Sequence, residues 1–146
     1  MIRAKRDFPT RFITGFQSPA EDHAERRLDI TDKIVVDPDS TFYAKMDSDS
    51  MTGFGILEGS ILVVDRSLIA RSGAIILAFF NGTFCTRMYI EKGLERWLVS
   101  GNKHYEDIRI DKNLEAFQIW GVVLVNINPL LPKSLLNGRY KDVCTC

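Results

Sequence analysis

Asp49-Ser50-Met51 lies ahead of a short glycine-containing run, and Arg87 sits on a β-rich segment further along the chain. A serine hydroxyl is a poor nucleophile until a neighbour takes its proton, and one solution is a lysine held neutral beside it. Arginine cannot serve in that way, because a guanidinium stays protonated in proteins. Read alone, Ser48, Asp49 and Ser50 form a polar turn after a strand, and a bare Ser-Met pair carries little information. On spacing alone Arg87 is an ordinary solvent-facing arginine. Whether Ser50 does chemistry therefore depends on the elements around it.

Those elements read as strands. Thr41–Met46, Ser60–Asp65, Gly73–Phe80, Gly82–Tyr89, Arg96–Ser100, Asp107–Ile110 and Ala116–Asn126 are each β-rich and separated by turn residues. Many short strands with little helix predict a mostly-β fold, a curled antiparallel sheet or small barrel. Asn81-Gly82 between two runs predicts a hairpin with a type I′ turn. On its second strand Cys85, Arg87 and Tyr89 share one face and Phe84, Thr86 and Met88 the other, since side chains alternate. Arg87 thus projects from a rigid strand.

Outside the strands, residues 1–17 read as an irregular arm. Ser18-Pro19-Ala20-Glu21 is a capping box with proline at the first helical position, predicting a short surface helix to about Arg27. Pro129 and Pro132 end the last strand, and Lys133–Cys146 has the turn character of a loose tail. The expected organisation is an arm (1–17), a β domain (18–128) and a tail (129–146).

At 146 residues, with 45% hydrophobic and 26% charged content, the chain suits one globular domain. Lys+Arg and Asp+Glu balance at 19 each, so no global field draws it to nucleic acid or membrane. The arm is locally basic, with Arg3, Lys5, Arg6 and Arg11 against Asp7, as a solvated terminus or a contact for an acidic partner would be. No run approaches a membrane span and no signal peptide is evident, so a cytoplasmic location is expected. Three cysteines, Cys85, Cys144 and Cys146, make no disulfide framework. Cys144-Thr145-Cys146 offers soft ligands, but His23 and His104 lie far off in sequence, so no metal and no cofactor is expected.

Taken together, several runs carry more than any one alone. Lys45-Met46-Asp47-Ser48-Asp49-Ser50-Met51, then Gly59-Ser60-Ile61-Leu62-Val63-Val64-Asp65, then Gly73-Ala74-Ile75-Ile76-Leu77-Ala78 follow one another in order. They resemble the LexA/UmuD family of self-cleaving serine peptidases, with its Gly-Asp-Ser-Met-like nucleophile turn and two Gly-Asp strands. Gly15-Phe16-Gln17-Ser18-Pro19-Ala20 resembles the segment after the cleavage point in the UmuD-like branch, and Gly121-Val122-Val123 the family's last strand. The likeness covers about residues 13–125. The preceding arm is too short for the helix-turn-helix domain of a DNA-binding repressor, so no sequence-specific DNA binding is expected.

The resemblance implies that Ser50 is the nucleophile and that the backbone N–H groups of Ser50 and Met51 form the oxyanion hole. The scissile bond falls between Thr14 and Gly15, in the chain's own arm, so the reaction is intramolecular. The implied role is that of an SOS-response accessory subunit of an error-prone translesion polymerase. Its implied partners are a second copy or a UmuD-like subunit, a RecA filament and a UmuC-like polymerase. The family's lysine base falls on Arg87. Lys92 is expected beyond the strand and too far to substitute; Lys45, on the strand leading into the serine turn, has no family precedent as a base. Thr14 replaces a smaller residue before the scissile bond, and Ser48 replaces a glycine. Asp49 is assigned a structural turn role. Two outcomes follow: a conditional self-peptidase, or a non-cleaving relative that acts by binding.

Overall fold

The structure, a computed structural model, describes residues 29–111, 116–130 and 144–145. The chain divides into two compact units, residues 1–33 and 34–146. In the first, the Asp29 carboxylate accepts the Thr31 N–H at 2.9 Å, at the start of the one-turn helix α1 (Thr31–Ile34). The capping box at Ser18 lies outside the described residues.

The second unit is a sheet of eight strands: β1 (Thr41–Lys45), β2 (Ile61–Asp65), β3 (Ile75–Phe80), β4 (Thr83–Lys92), β5 (Glu95–Val99), β6 (Ile108–Ile110), β7 (Phe117–Ile127) and β8 (Cys144–Thr145). Their order is β6-β5-β4-β3-β7-β2-β1-β8, an open sheet rather than a closed barrel. Pairing is antiparallel from β6 through β1, and β8 joins β1 in parallel. Every strand of the sequence reading is present with ends shifted by a residue or a few. Two points are corrected. Residues 144–145 are not loose but pair with Ala44 and Lys45. Lys92 is the last residue of β4 rather than beyond it; its even position places it on the face opposite Arg87, so it still cannot replace the base.

Both faces of the sheet are covered. Leu77 packs with Ala44, Met46, Met51, Ile56, Leu62 and Val64, whereas its neighbours Ile76 and Ala78 pack with Tyr89, Leu98, Ile110 and Val122. Consecutive residues of β3 therefore serve opposite cores. This explains why Ile61-Leu62-Val63-Val64 runs apolar without alternation: all four are buried. Bulges at Val63/Val64 and Leu77/Ala78, both against β7, bend the sheet and raise its local twist. Gly121 lets β7 approach β2, since a Cβ there would meet Val64 Cγ1 at 2.6 Å and Asp65 O at 3.0 Å.

The β3–β4 hairpin forms as its turn residues dictate. Asn81 (φ 48) and Gly82 (φ 83) both take the left-handed conformation that a type I′ turn needs, and Phe80 pairs Thr83 across it. That turn fixes the register in which Arg87 faces Ile76.

Candidate active site

Ser50 lies in the connection from β1 to β2. That connection is pinned at its base by Met46 N–H to Ser60 O (2.8 Å) and Gly59 N–H to Met46 O (2.7 Å). Within it, Thr52 donates through N–H (3.3 Å) and Oγ1 (3.1 Å) to Asp49 O, opening a 3₁₀ turn over Thr52–Phe54 that Gly55 ends at φ 80. Met51 is fully buried in the first core. Burying such a side chain is worth about 1.5–3 kcal/mol, so Met51 anchors the turn beside Ser50. Sequence reasoning gave Met51 a backbone role and missed this one.

A second loop holds the turn from outside. Gly101 N–H donates to Ser50 O and Gly53 N–H to Gly101 O, each at 2.8 Å. The two glycines touch so closely that a Cβ on Gly53 would collide with Gly101 O, and one on Gly101 would meet Phe54 Cδ2 at 2.8 Å and Met51 Cα at 3.1 Å. Asp49 has the structural role expected of it: Oδ1 accepts the Tyr105 hydroxyl at 2.7 Å, and Asn102 Nδ2 reaches Asp49 O at 3.1 Å and Oδ2 at 3.3 Å. Hydrogen bonding to Asp49 is also the main reason the Tyr105 hydroxyl is held above its ordinary pKa, with burial adding to it.

Arg87 is not the solvent-facing residue that spacing suggests. It is 9% exposed, and Nη1 donates to Ser50 Oγ at 2.9 Å and to Thr86 O at 2.7 Å. The guanidinium carbon lies 5.5 Å from the centroid of the Tyr105 ring. The strand thus aims residue 87 at the serine across a separation of 37 residues. Ser48 Oγ is 3.0 Å from Ser50 Oγ. Both contacts of the Ser50 hydroxyl are therefore to groups that do not act as bases at neutral pH: a guanidinium, which donates, and another hydroxyl. Among the described residues, the N–H groups of Ser50 and Met51 have no acceptor.

Cys85, two residues before Arg87 on the same face, has its thiol pushed up by burial, partly offset by the Arg87 charge. Among the described residues no group of three His, Cys, Asp or Glu side chains is placed to hold a metal ion. Nor is any helix among them long and apolar enough to cross a membrane. Thr14 and Gly15, where the scissile bond was expected, lie outside the described residues. Gly101, Asn102 and Tyr105 went unnoticed in the sequence; Gly101-Asn102 is a turn signal, but nothing local to it points at a serine fifty residues earlier.

Comparison with known proteins identifies the family. Residues 8–124 match the family described as Peptidase S24-like. The protein MucA of Salmonella typhimurium is 33% identical over 113 residues, 77% of either chain. The protein ImpA of Shigella flexneri is 36% identical over 80 residues, 55% of either chain. The LexA repressor of Shewanella oneidensis is 29% identical over 105 residues, which is 72% of this chain and 50% of the repressor. With a serine turn and a facing cation set on an S24-like sheet, the chain belongs to the LexA/UmuD family of S24-like peptidases as a UmuD-like member.

Proposed function

We propose that this is a UmuD-like SOS-response protein, a regulatory subunit of an error-prone translesion polymerase, and that it works by binding because self-cleavage is blocked at Arg87. In this reading Ser50 holds the nucleophile position, and the Ser50 and Met51 N–H groups form the oxyanion hole. Thr14–Gly15 in the arm is the bond that a competent relative would cut. A second copy or a UmuD-like subunit, a RecA filament and a UmuC-like polymerase are the partners it would meet.

The carrying observation is the 2.9 Å hydrogen bond from Arg87 Nη1 to Ser50 Oγ. A neutral lysine at that distance would accept the serine proton, whereas a guanidinium only donates. Loss of a general base costs about a hundredfold or more in rate. The Ser50 and Met51 N–H groups, without an acceptor among the described residues, favour a second reading, slow single-turnover self-cleavage, because an oxyanion hole alone retains part of the catalysis.

Incubation with activated RecA filament, and separately at alkaline pH, decides between the two by mass spectrometry. The unsubstituted chain is expected to yield no fragment beginning at Gly15. Such a fragment, absent from Ser50→Ala, would overturn the blocked reading. Arg87→Lys is expected to gain cleavage by about a hundredfold or more, most visibly at high pH where lysine loses its proton. No gain would mean that the site is inactive for a further reason.

A further inference from the structure

The Arg87 guanidinium is a buried cation with unusual company. Among the described residues no carboxylate lies within ion-pair distance of it; the ion pairs recorded there join Arg109 to Glu95 and Asp111. The nearest candidate in sequence to Ser50, Asp49, is already engaged by Tyr105 and Asn102. Arg87 Nε is fully buried and has no acceptor among the described residues. Burial of a charge is costly unless it is paired and hydrogen-bonded, and among the described residues this cation has no negative partner.

Nη1 already donates to Ser50 Oγ and to the Thr86 carbonyl, so Nε is a guanidinium donor left without an acceptor among the described residues. The Ser50 hydroxyl accepts from Nη1 and lies 3.0 Å from the Ser48 hydroxyl, and the Ser50 and Met51 N–H groups of the same turn have no acceptor among the described residues. Tyr105, whose ring centroid lies 5.5 Å from the guanidinium carbon, also lines a neighbouring depression with Gly53, Phe54, Gly101, Asn102, Lys103 and the acidic Asp107, to which Ser50 and Arg87 themselves do not contribute.

We infer that Arg87 and Ser50 form a binding site for a carboxylate, such as an acidic side chain or a chain-terminal carboxyl group presented by an extended peptide. The inference rests on the reading that Arg87 is no base here. A carboxylate is a planar acceptor that matches the guanidinium fork and neutralises its single charge. A phosphate dianion would leave excess negative charge beside Asp49. The substitution that removes proton transfer thus supplies anion recognition in the same place.

The probe is acetate, titrated into the full chain at constant ionic strength, with chloride and inorganic phosphate as comparisons. The readout is the ¹⁵N–¹H resonance of Arg87 Nε, assigned by its disappearance in Arg87→Lys. A saturable shift with acetate, at least several-fold tighter than with phosphate and absent with chloride, is expected. Ser50→Ala should weaken half-saturation by about 3- to 10-fold, the loss of one hydrogen bond. No acetate-dependent shift, an equal response to chloride, or an unchanged response in Ser50→Ala would overturn the inference. The Gly15 fragment is measured separately, so failure of the anion site and failure of the blocked-peptidase reading are distinguishable.

Discussion

The Asn81-Gly82 turn and the Ser48–Gly55 turn each bring one half of the site into place, and they are built differently. The first is local: two residues at positive φ close β3 onto β4 and set the register that carries Arg87. The second depends on distant partners. Its conformation rests on Gly101, Asn102 and Tyr105, with side-chain bonds spanning 53 and 56 residues of chain, and on Met51 in the core. A cation on a rigid strand therefore meets a hydroxyl on a turn that must be held from outside. Damage to the two halves should differ in kind.

The largest effect is expected where the serine turn and its supporting loop touch. Gly101→Ala forces a Cβ against Phe54 Cδ2 at 2.8 Å and Met51 Cα at 3.1 Å. Overpacking of this sort costs about 1–3 kcal/mol, and backbone neighbours that cannot rotate away put this case near the top of that range. Urea unfolding measures it, and a loss near zero would mean the two segments are not locked together. Gly82→Ala comes next. It meets nothing within 4 Å, so its cost is conformational, about 1–2 kcal/mol for a side chain at φ 83. If it cost more than Gly101→Ala, the contrast between a local turn and a supported one would be reversed.

Tyr105→Phe should have the smallest effect and the most specific one. It keeps the ring facing Arg87 but removes the hydroxyl from Asp49. The Tyr105 hydroxyl titrates above its ordinary value of 10.0 in the folded chain, chiefly through the hydrogen bond to Asp49. Folding thus favours the protonated phenol. The stabilisation is fully present below the unfolded value and is lost as pH rises through the raised folded one. The gap in urea midpoint between the parent chain and Tyr105→Phe should therefore be constant near neutral pH and narrow above about pH 10. A gap that stays constant into that alkaline range would sever Asp49 from Tyr105.

What the sequence made legible follows the same division. Alternating and apolar runs, Asn81-Gly82 and the prolines after β7 are local signals, and the strands they predict are present. Ser50 and Arg87 were both singled out, and the hairpin register places one against the other. Arg87 alone, however, read as exposed, because burial by a loop that follows β5 leaves no trace within β4. The Gly53–Gly101 contact, the anchoring of Met51 and the short β8 pairing likewise depend on residues tens of positions apart. Propensity and periodicity are blind to such contacts. Lys92 was misplaced for a smaller reason: Glu91-Lys92 looks like the end of a strand, yet pairing with Glu95-Arg96 carries β4 to its last residue.

The close contact of Gly53 with Gly101 has a consequence for how such a protein can change over generations. Where the two backbones meet, no side chain of any kind fits without moving a loop, so that part of the frame resists drift. Position 87 is the opposite case, a side chain whose tip meets the serine while its backbone is set by the hairpin. Arginine and lysine there are alternatives at a single position of an otherwise unchanged frame. On the blocked reading proposed above, loss and recovery of proton transfer would be a change at one residue, with no need to pass through a misfolded ancestor.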